Sequence, residues 1–510
     1  MNNNNNNNNR QSTFLTAGLG LAAAAAIGGA AYYLSGGRRM EEPQQRQRSA
    51  LAPAREPPTS SSSSSSDSDN NSTSSYLSNM VSRILLNSSS SSPSSHIKEE
   101  RAEPVIPENP VITNLNSLLN DIHVRYIRLK QFNIYFEVFD VIFQDLHKKM
   151  KQVDPYYRKY SSTVQFAGSH YDNLRINKPD EFDMDIVISL PLNIKTDQFS
   201  PDQSDINIEP QSPGYLQLRM GEQFLKLPMR DNEEWLNNRE AFKWMDSNHY
   251  LLRSKFIEWW EGVVNKALNL YENSSHGRPL VYVQGVPYII NVSKSGPAMT
   301  LLITNASRNF SLDVDLVPAL KFPEARWPIS SSYRSIPPNC KKDYWMVVPK
   351  LDKESRMEHI QVRSWRIALH NQERELMYNS YNLRQAIRFI KKLRDSQGMK
   401  KIASYYIKTL FFWEIQEVND ELYWRQSYEV LFKRMVGKLH RALVIGNIPY
   451  FWNRNNNLIG GVPREILTMY ANKLVPLIEV LADPARYRQV AKYLLTPEEF
   501  RDYNARYLHI

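Results

Sequence analysis

The sequence predicts an α+β protein in which a mixed-sheet lobe precedes an all-helical lobe. Around residues 181–188 and 311–316, polar and apolar residues alternate, which is typical of β-strands. Beyond about residue 363, apolar residues recur at the three- and four-residue spacing of helices. The chain has 510 residues, more than one core usually holds, so we expect at least two lobes. We assign residues 111–355 to a spine helix and sheet lobe and residues 356–510 to the helical lobe, with a ligand cleft between them.

Charge and cysteine content narrow the class of protein. Lys and Arg number 63 against 53 Asp and Glu, a net charge of +10, which favours a polyanion or an anionic membrane as partner. Cys340 is the only cysteine. A disulfide framework and a Cys-rich zinc site within one chain are therefore excluded, and we expect a reducing compartment and no zinc.

The N-terminal region contains a candidate membrane anchor. After a low-complexity, Asn-rich tract at residues 1–13, Phe14–Leu34 runs for 21 residues without a charge, enough for a helix to span a hydrocarbon layer of about 30 Å. Arg38 and Arg39 follow this run, and only Arg10 precedes it, so the positive-inside rule leaves the folded lobes in the cytosol. A cleaved signal peptide is the alternative, because small residues are abundant near the end of the run.

The segment 35–110 is rich in serine and proline and includes an unbroken serine run, Ser60–Ser66. Such a composition buries too little apolar surface to offset its ordering entropy. We predict a disordered tether between the anchor and the folded lobes.

The folded part is expected to begin with a spine helix. Leu115–Gln152 repeats apolar residues at helical spacing and ends in basic residues. The basic residues at this end are a candidate nucleic-acid-binding patch: Lys148, Lys149, Lys151, Arg158 and Lys159. The alternative is a solvated helix end whose cations complement the helix dipole.

Further helices are predicted along the chain. Arg239–Tyr271 has helical spacing, and we expect its three tryptophans, Trp244, Trp259 and Trp260, to lie in the core. In the second half the same spacing predicts four more helices, at Ala386–Arg394, Ile402–Glu414, Tyr428–Ile445 and Arg464–Leu481.

Acidic residues share one face of each of two predicted strands. Glu181, Asp183 and Asp185 occupy alternate positions, so their side chains point to one side of the strand. The second strand presents Asp313 and Asp315 in the same way. Like charges repel unless a cation offsets them, and paired strands lie about 4.8 Å apart. The structural alternative is a half-solvated strand with an acidic outer face.

This pattern matches the needs of phosphoryl and nucleotidyl transfer. Such reactions use two divalent ions about 3.5–4 Å apart, and Mg²⁺ prefers carboxylate oxygens together with substrate phosphates. Upstream of the acids, the Gly168–Ser169 turn can offer backbone N–H groups and a hydroxyl to a triphosphate.

Five blocks of sequence carry a family resemblance: Gly168–Ser169, EFDMD at Glu181–Asp185, the Asp315 strand, SWRIALHNQERE at Ser364–Glu375, and ASYYIKTLFFWE at Ala403–Glu414. In this order they resemble the Mab-twenty-one family of nucleotidyltransferase-fold proteins. That family includes cyclic GMP–AMP synthase and the animal cyclic GMP–AMP synthase-like receptors. The resemblance extends from about Leu115 to the C-terminus and implies a nucleotidyltransferase-fold sheet lobe.

The resemblance also implies roles for individual residues. Glu181, Asp183 and Asp315 would be the catalytic ligands of Mg²⁺ or Mn²⁺, whereas Asp185 and Asp313 have no family role. The implied nucleotide-binding residues are Gly168, Ser169, Arg366, Glu373, Arg394, Ser404, Tyr405 and Lys408, with Tyr405 stacking on a base. Without the family, Arg366, Tyr405 and Lys408 could equally be ordinary core or interface residues.

The sequence also departs from the synthase. Ala167, Ala368 and His370 stand where the synthase has hydroxyl residues, which leaves the choice of base and linkage open. The Met377–Arg388 segment has no cysteine, so the synthase's zinc-containing DNA-binding insertion is missing. Double-stranded RNA or another polyanion is therefore favoured as the activator over double-stranded DNA.

Two classes of function follow from the resemblance. One is an enzyme of innate immune signalling that makes a cyclic dinucleotide from ATP and/or GTP when a double-stranded nucleic acid activates it. The other is a non-catalytic, membrane-anchored nucleotide-binding scaffold. It would be similar to the mitochondrial outer-membrane dynamics proteins, which recruit a dynamin-type GTPase. The retained acids favour the enzyme, because those scaffold relatives have lost the acidic pair.

Overall fold

The computed structural model describes residues 106–176, 178–190, 205–229, 233–328, 332–378 and 380–509. The predicted Asn-rich tract, the candidate anchor Phe14–Leu34 and the tether up to residue 105 lie outside these described residues. Within the described part of the chain, no helix combines the length and apolar character needed to cross a membrane.

A large mixed sheet forms the first half of the described chain. Its strands are β1 (Ser161–Ala167), β2 (Glu181–Ile188), β3 (Ile206–Pro210), β4 (Tyr215–Met220), β5 (Glu272–Asn273), β6 (Pro279–Val283), β7 (Val286–Ser295), β8 (Ala298–Asn305), β9 (Phe310–Pro323), β10 (Tyr344–Val348) and β11 (Trp365–Ala368). Neighbouring strands follow the order β3-β4-β11-β10-β9-β8-β7-β6-β5, and β2 pairs with β1 and β9. A separate hairpin consists of β12 (Pro449–Tyr450) and β13 (Asn453–Asn457).

Strand β9 positions the acidic residues. It pairs antiparallel with β8 and β10, but parallel with β2. The apolar residues between the acids, such as Phe182 and Met184 on β2 and Val314 on β9, are buried. Burial of one face of each strand fixes the register and leaves the carboxylates on the other face. The two predicted acidic strands are confirmed.

Helices flank and follow the sheet. They are α1 (Leu115–Ile122), α2 (Phe132–Val153), α3 (Pro155–Tyr160), α4 (Gly168–Tyr171), α5 (Glu222–Leu225), α6 (Glu233–Phe242), α7 (Arg253–Leu268), α8 (Glu358–Gln361), α9 (His370–Leu376), α10 (Leu383–Ser396), α11 (Ser404–Val418), α12 (Tyr428–Ile445), α13 (Arg464–Ala482), α14 (Ala491–Leu494) and α15 (Pro497–Tyr503). The four helices predicted in the second half are confirmed as α10 to α13. Strand β11 lies beyond residue 356, and the predicted domain boundaries stay predictions.

The prediction of one continuous spine helix is wrong. After α1 the chain makes a π-helical turn, His123–Ile127, becomes extended at Arg128, and takes a left-handed conformation at Gln131 (φ 59°) before α2 begins. The two halves pack on different partners. Helix α1 contacts α12 and the 3₁₀ segment Pro484–Val490, whereas α2 contacts α7, β6 and β9. The break lets each half turn its apolar face toward its own partner.

The prediction of one helix over Arg239–Tyr271 is also wrong, because α6 ends at Phe242 and α7 begins at Arg253. The Asp246 side chain accepts backbone hydrogen bonds from Asn248 (2.8 Å) and Tyr250 (3.0 Å). These bonds stabilise a turn in place of a helix. The three tryptophans predicted to be core residues are buried: Trp244, Trp259 and Trp260.

Candidate metal centre and nucleotide cleft

Three half-buried carboxylates meet on one face of the sheet. The parallel pairing of β2 with β9 places Asp183 opposite Asp315, and Glu181 opposite Asp313. One carboxylate oxygen from each of Glu181, Asp183 and Asp315 lies within 4.8 Å of the other two. Among the residues that the structure describes, this is the one group of three acidic, histidine or cysteine side chains close enough to share a metal ion. We call these three residues the carboxylate triad.

The electrostatics of the carboxylate triad favour a bound cation. Burial raises the pKa of Asp183 to about 7, and the negative charges of Glu181, Asp315 and Asp185 add to this effect. Burial and Glu181 also raise the pKa of Asp315, although a hydrogen bond from Thr300 opposes them. The donors are all hard oxygen atoms, as Mg²⁺ and Mn²⁺ prefer. The residues therefore fit a divalent cation, which would offset their repulsion.

A guanidinium group compensates part of this charge. Arg175 forms an ion pair with Glu181 and a second one, at 2.7 Å, with Asp180. Among the ion pairs of the described residues, none joins a cation to Asp183. The negative charges of Glu181, Asp315 and Asp185 all act on this carboxylate.

Asp185 shares the strand face with the carboxylate triad but has a different partner. It is buried, and its carboxylate lies 3.1 Å from Nε2 of His370, at the start of α9. Burial lowers the pKa of His370, but the carboxylate of Asp185 more than offsets this, so the pKa is raised overall. Asp185 is therefore paired with a histidine and is not part of the carboxylate triad.

The Gly168–Ser169 turn lies directly against the carboxylate triad. Strand β1 runs antiparallel to β2 and places Ala167 opposite Asp183, so the turn begins beside this carboxylate. Gly168 has a left-handed backbone (φ +71°), and an added Cβ would lie 1.7 Å from Oδ2 of Asp183. Both the backbone conformation and the close approach require glycine here. Ser169 is half-buried, and its carbonyl accepts a hydrogen bond from the backbone of Leu174 (2.7 Å).

Three of the predicted nucleotide-binding residues form a buried network on the helical side. Glu373 accepts hydrogen bonds from the Tyr405 hydroxyl (2.6 Å) and the Trp452 indole (3.1 Å). Lys408 Nζ lies 3.0 Å from Glu373 and 2.5 Å from Asp172, which follows α4. Burial lowers the pKa of Lys408, but these two carboxylates raise it overall. The network therefore joins the segment after the Gly-Ser turn to α9 and α11.

The remaining predicted nucleotide-binding residues lie in two places. Arg394 donates a hydrogen bond to the Ser404 hydroxyl (2.8 Å) and pairs with Asp395, at the junction of α10 and α11. Arg366 lies on β11. Lys350 is close enough to sense its charge: burial lowers the pKa of Lys350 to about 8, and the charges of Arg366 and Lys353 contribute.

Sequence reasoning missed two residues that lie beside the predicted nucleotide-binding residues, Lys350 and Asp172. Lys350 lies two residues after the end of strand β10, and its position after a buried apolar run was the available signal. Asp172 stands four residues after Gly168, but nothing local in the sequence indicates that Lys408 is its partner.

The candidate nucleic-acid patch lies at the end of α2 and in α3. Arg158 donates to the backbone carbonyls of Lys151 (2.8 Å) and Gln152 (3.2 Å), and so caps α2. Lys149 lies 3.8 Å from Asp145 and over the Tyr271 ring. The side chains of Lys148 and Lys159 are exposed. The assignment of this patch to nucleic-acid binding stays a prediction.

A mixed sheet that holds three carboxylates beside a Gly-Ser turn defines a nucleotidyltransferase-like domain, followed here by a helical region. Family models agree with this class. Residues 170–379 match the Mab-21 protein nucleotidyltransferase domain, and residues 382–475 match the Mab-21 protein HhH/H2TH-like domain.

Curated relatives from three insects extend the match. The chain is 32% identical to a cyclic GMP-AMP synthase-like receptor of Ctenocephalides felis over 77% of this chain and 90% of the relative. Proteins of the same name match from Aethina tumida (30% identical, 76% of this chain, 92% of the relative) and Tribolium castaneum (31%, 76% and 94%). The chain belongs to the Mab-21 family.

Proposed function

We propose that the protein is a nucleotidyltransferase that makes a cyclic dinucleotide from ATP and/or GTP, with Mg²⁺ or Mn²⁺ held by the carboxylate triad. One observation carries the proposal: Glu181, Asp183 and Asp315 converge within 4.8 Å, beside a glycine that leaves no room for a side chain against Asp183. The names of the insect relatives support the same activity and a role in innate immune signalling.

The chemistry divides between the metal ions and the protein. When bound, divalent cations would activate the attacking hydroxyl and stabilise the charge on the phosphates. In each transfer, a ribose hydroxyl oxygen forms a bond to an α-phosphorus, the bond from that phosphorus to the pyrophosphate breaks, the pyrophosphate leaves, and the hydroxyl proton passes to water. A second transfer closes the ring.

The chain's own residues bind and orient the nucleotides. The Gly168–Ser169 turn offers backbone N–H groups and a hydroxyl to the triphosphate. Arg366 and the neighbouring Lys350 supply positive charge for a second nucleotide. Glu373 holds the Tyr405 hydroxyl, which fixes the orientation of the ring for stacking on a base.

Activation is assigned to a polyanion, with double-stranded RNA favoured. It would bind the basic patch of Lys148, Lys149, Lys151, Arg158 and Lys159 through its phosphates. Phe14–Leu34 would anchor the protein in a membrane, with the mitochondrial outer membrane as one candidate, and leave the folded lobes in the cytosol. Deletion of residues 1–40 should then release the protein from membranes, and recovery of the full-length chain in the soluble fraction would contradict the anchor.

The activity is tested with full-length protein, labelled ATP and GTP, and Mn²⁺ or Mg²⁺. Double-stranded RNA, double-stranded DNA or no nucleic acid is added, and products are separated after phosphatase treatment. We expect a phosphatase-resistant product that falls at least about 100-fold in Asp183→Asn, because even partners of metal ligands are worth about 10–100-fold. The matched control is Asp313→Asn, which removes a neighbouring acid outside the carboxylate triad.

Two outcomes would contradict the proposal. Equal losses in the Asp183 and Asp313 variants would show that the carboxylate triad has no special role. No product under any condition, together with nucleoside diphosphate binding and capture of a dynamin-type GTPase at the membrane, would establish the scaffold instead.

A further inference from the structure

The segment that follows the Gly-Ser turn is held by one face of helix α10. Three successive backbone carbonyls accept hydrogen bonds from its cations: Arg384 binds Asp172 O (3.2 Å), Arg388 binds Asn173 O (3.0 Å), and Lys391 binds Leu174 O (2.6 Å). The three cations are spaced by four and three residues, so they lie on one helix face. Arg388 also contacts the side-chain oxygen of Asn173. We call Arg384, Arg388 and Lys391 the carbonyl clasp.

The free energy needed to bury the cations of the carbonyl clasp argues against a role in stability alone. Arg388 and Lys391 are only 2% and 4% exposed. Burying a cation costs free energy that its hydrogen bonds and ion pairs must offset. Burial lowers the pKa of Lys391 to about 7, and the nearby charges of Arg394 and Arg175 contribute. Apolar residues of similar volume would fill this space at a lower cost in free energy. We therefore look for a role of these cations other than stability.

Backbone hydrogen bonds join the segment Asp172–Leu174 to the Gly168–Ser169 turn. The Leu174 backbone N–H donates to Ser169 O (2.7 Å), and the Asp172 N–H donates to Gly168 O (3.4 Å). Asn173 between them has a left-handed backbone (φ 59°). A displacement of Asp172–Leu174 would therefore displace the N–H groups that are offered to the triphosphate.

The carbonyl clasp also contacts the spine, by which we mean α1, α2 and the π-helical turn that follows α1. Nη1 of Arg388 lies 3.3 Å from Nε2 of His123, in the π-helical turn after α1. Burial lowers the pKa of His123 to about 3, with further lowering by Arg388 and Arg128. The imidazole is therefore neutral and can accept a hydrogen bond from the guanidinium.

We propose that Arg384, Arg388 and Lys391 are positioning residues, which hold the Gly168–Ser169 turn in its nucleotide-binding geometry and connect it through His123 to the spine. The proposal rests on the nucleotide site of the proposed function. It deepens that function by naming the helical residues on which the turn depends. The cations act on the nucleotide through the backbone of Asp172–Leu174, so their loss weakens binding without removing a metal ligand.

Helix α10 provides a matched control for the test. Lys392, next to Lys391, is 3% exposed, but it pairs with Glu499 at 2.7 Å and belongs to a different face. Arg388→Gln and Lys392→Gln each replace a buried cation of the same helix with the same side chain. Both variants should lower the melting temperature, and only the first loosens the turn.

Two readouts on the full-length chain separate positioning from stability. The first is the Kd of fluorescent ATP and GTP analogues with Mn²⁺, and the second is amide hydrogen exchange of residues 168–176 without nucleotide. We expect Arg388→Gln to raise the Kd and to accelerate exchange by at least about tenfold each, the scale found for residues that orient a site. Lys392→Gln should change neither more than about twofold. Arg388→Lys, which keeps the charge but not the fork of donors, should fall between wild type and Arg388→Gln.

Equal changes in the Arg388 and Lys392 variants would overturn the proposal and assign the carbonyl clasp to stability. If Arg388→Gln does not fold, Arg384→Gln, at a half-buried position, is measured in the same way. If the wild-type protein binds neither nucleotide, the proposed function fails. Hydrogen exchange of the turn still decides whether the carbonyl clasp holds it.

Discussion

Two groups of carboxylates, the carboxylate triad and the pair Asp172 and Glu373, differ in how their charge is balanced. In the carboxylate triad the acids face one another, and the pKa of Asp183 rises to about 7. Around Lys408, burial raises the pKa of Asp172, but Lys408 and Arg374 lower it more strongly, so the pKa is lowered overall. The carboxylates of the second group have cationic partners within the protein, whereas those of the carboxylate triad would be balanced by a bound divalent cation. The same residue type therefore fits a cation site on the sheet and joins the segment after the Gly-Ser turn to α9 and α11 around Lys408.

Breaking the balanced group should have the largest effect on stability. Lys408→Met leaves Asp172 and Glu373 buried without their shared cation. Because removing one partner of a buried ion pair exposes the full desolvation cost of the others, we expect the free energy of unfolding to fall by about 3–5 kcal/mol. Urea denaturation measures this change. A loss below about 1 kcal/mol would show that the two carboxylates find other partners.

Perturbing the carboxylate triad through its neighbour should affect both stability and binding. In Gly168→Ala the new Cβ must displace Asp183, in addition to the strain of the left-handed backbone. Gly277→Ala is the matched control, since Gly277 has a similar backbone (φ +67°) and no atom within 4 Å of an added Cβ. The control should lose about 1–2 kcal/mol of stability. Gly168→Ala should lose more stability than this control and should also lose metal-dependent nucleotide binding. If both variants behaved alike, the close approach of Gly168 to Asp183 would be contradicted.

The unbalanced charge predicts an unusual dependence of stability on pH. The pKa of Asp183 is about 7 in the folded protein against 3.8 ordinarily, so between these values the folded state binds more protons than the unfolded state. A shift of about three pKa units corresponds to about 4 kcal/mol, and partial exposure of the Asp183 carboxylate to solvent reduces this value. Without divalent ions the free energy of unfolding should therefore fall as the pH rises from about 4 to 7, by on the order of 1–2 kcal/mol relative to Asp183→Asn. Denaturation curves with EDTA and with Mg²⁺ measure this difference. If the difference between the variants persists unchanged in Mg²⁺, the cation does not relieve the repulsion.

Breaking an exposed ion pair should cause the smallest change in the free energy of unfolding. Lys255 and Glu258 on α7 lie 2.9 Å apart with side chains 51% and 61% exposed. Because water screens such pairs, Lys255→Met should change the free energy of unfolding by only about 0–1 kcal/mol. The change should shrink further in 1 M salt. Denaturation of this variant beside Lys408→Met would show how much burial contributes, and an equal loss in both would refute that explanation.

The strands and helices with strong local patterns could be predicted from the sequence. Alternating apolar residues identified β2 and β9, and helical spacing identified α10 to α13, because each pattern repeats within a few residues. The same spacing failed at the spine. Arg128–Gln131 interrupts a pattern that remains apolar at the right positions, since α1 and α2 pack on different elements.

The sequence by itself determined that two strands carry acids on one face, that a Gly-Ser turn precedes them and that helices follow. The family resemblance named Glu181, Asp183 and Asp315 as the ligands, but the local pattern of the strands did not distinguish them from Asp185 and Asp313, and the tertiary structure supplies the physical reason why these three converge. Asp183 and Asp185 have the same alternation, but the register with β9 sets Asp183 opposite Asp315, and the start of α9 sets His370 against Asp185. Likewise, Lys408 reaches Asp172 across 236 residues of sequence. Alternation and helical spacing are local properties, whereas register and ion pairing depend on elements far apart in the chain, which the packed core alone brings together.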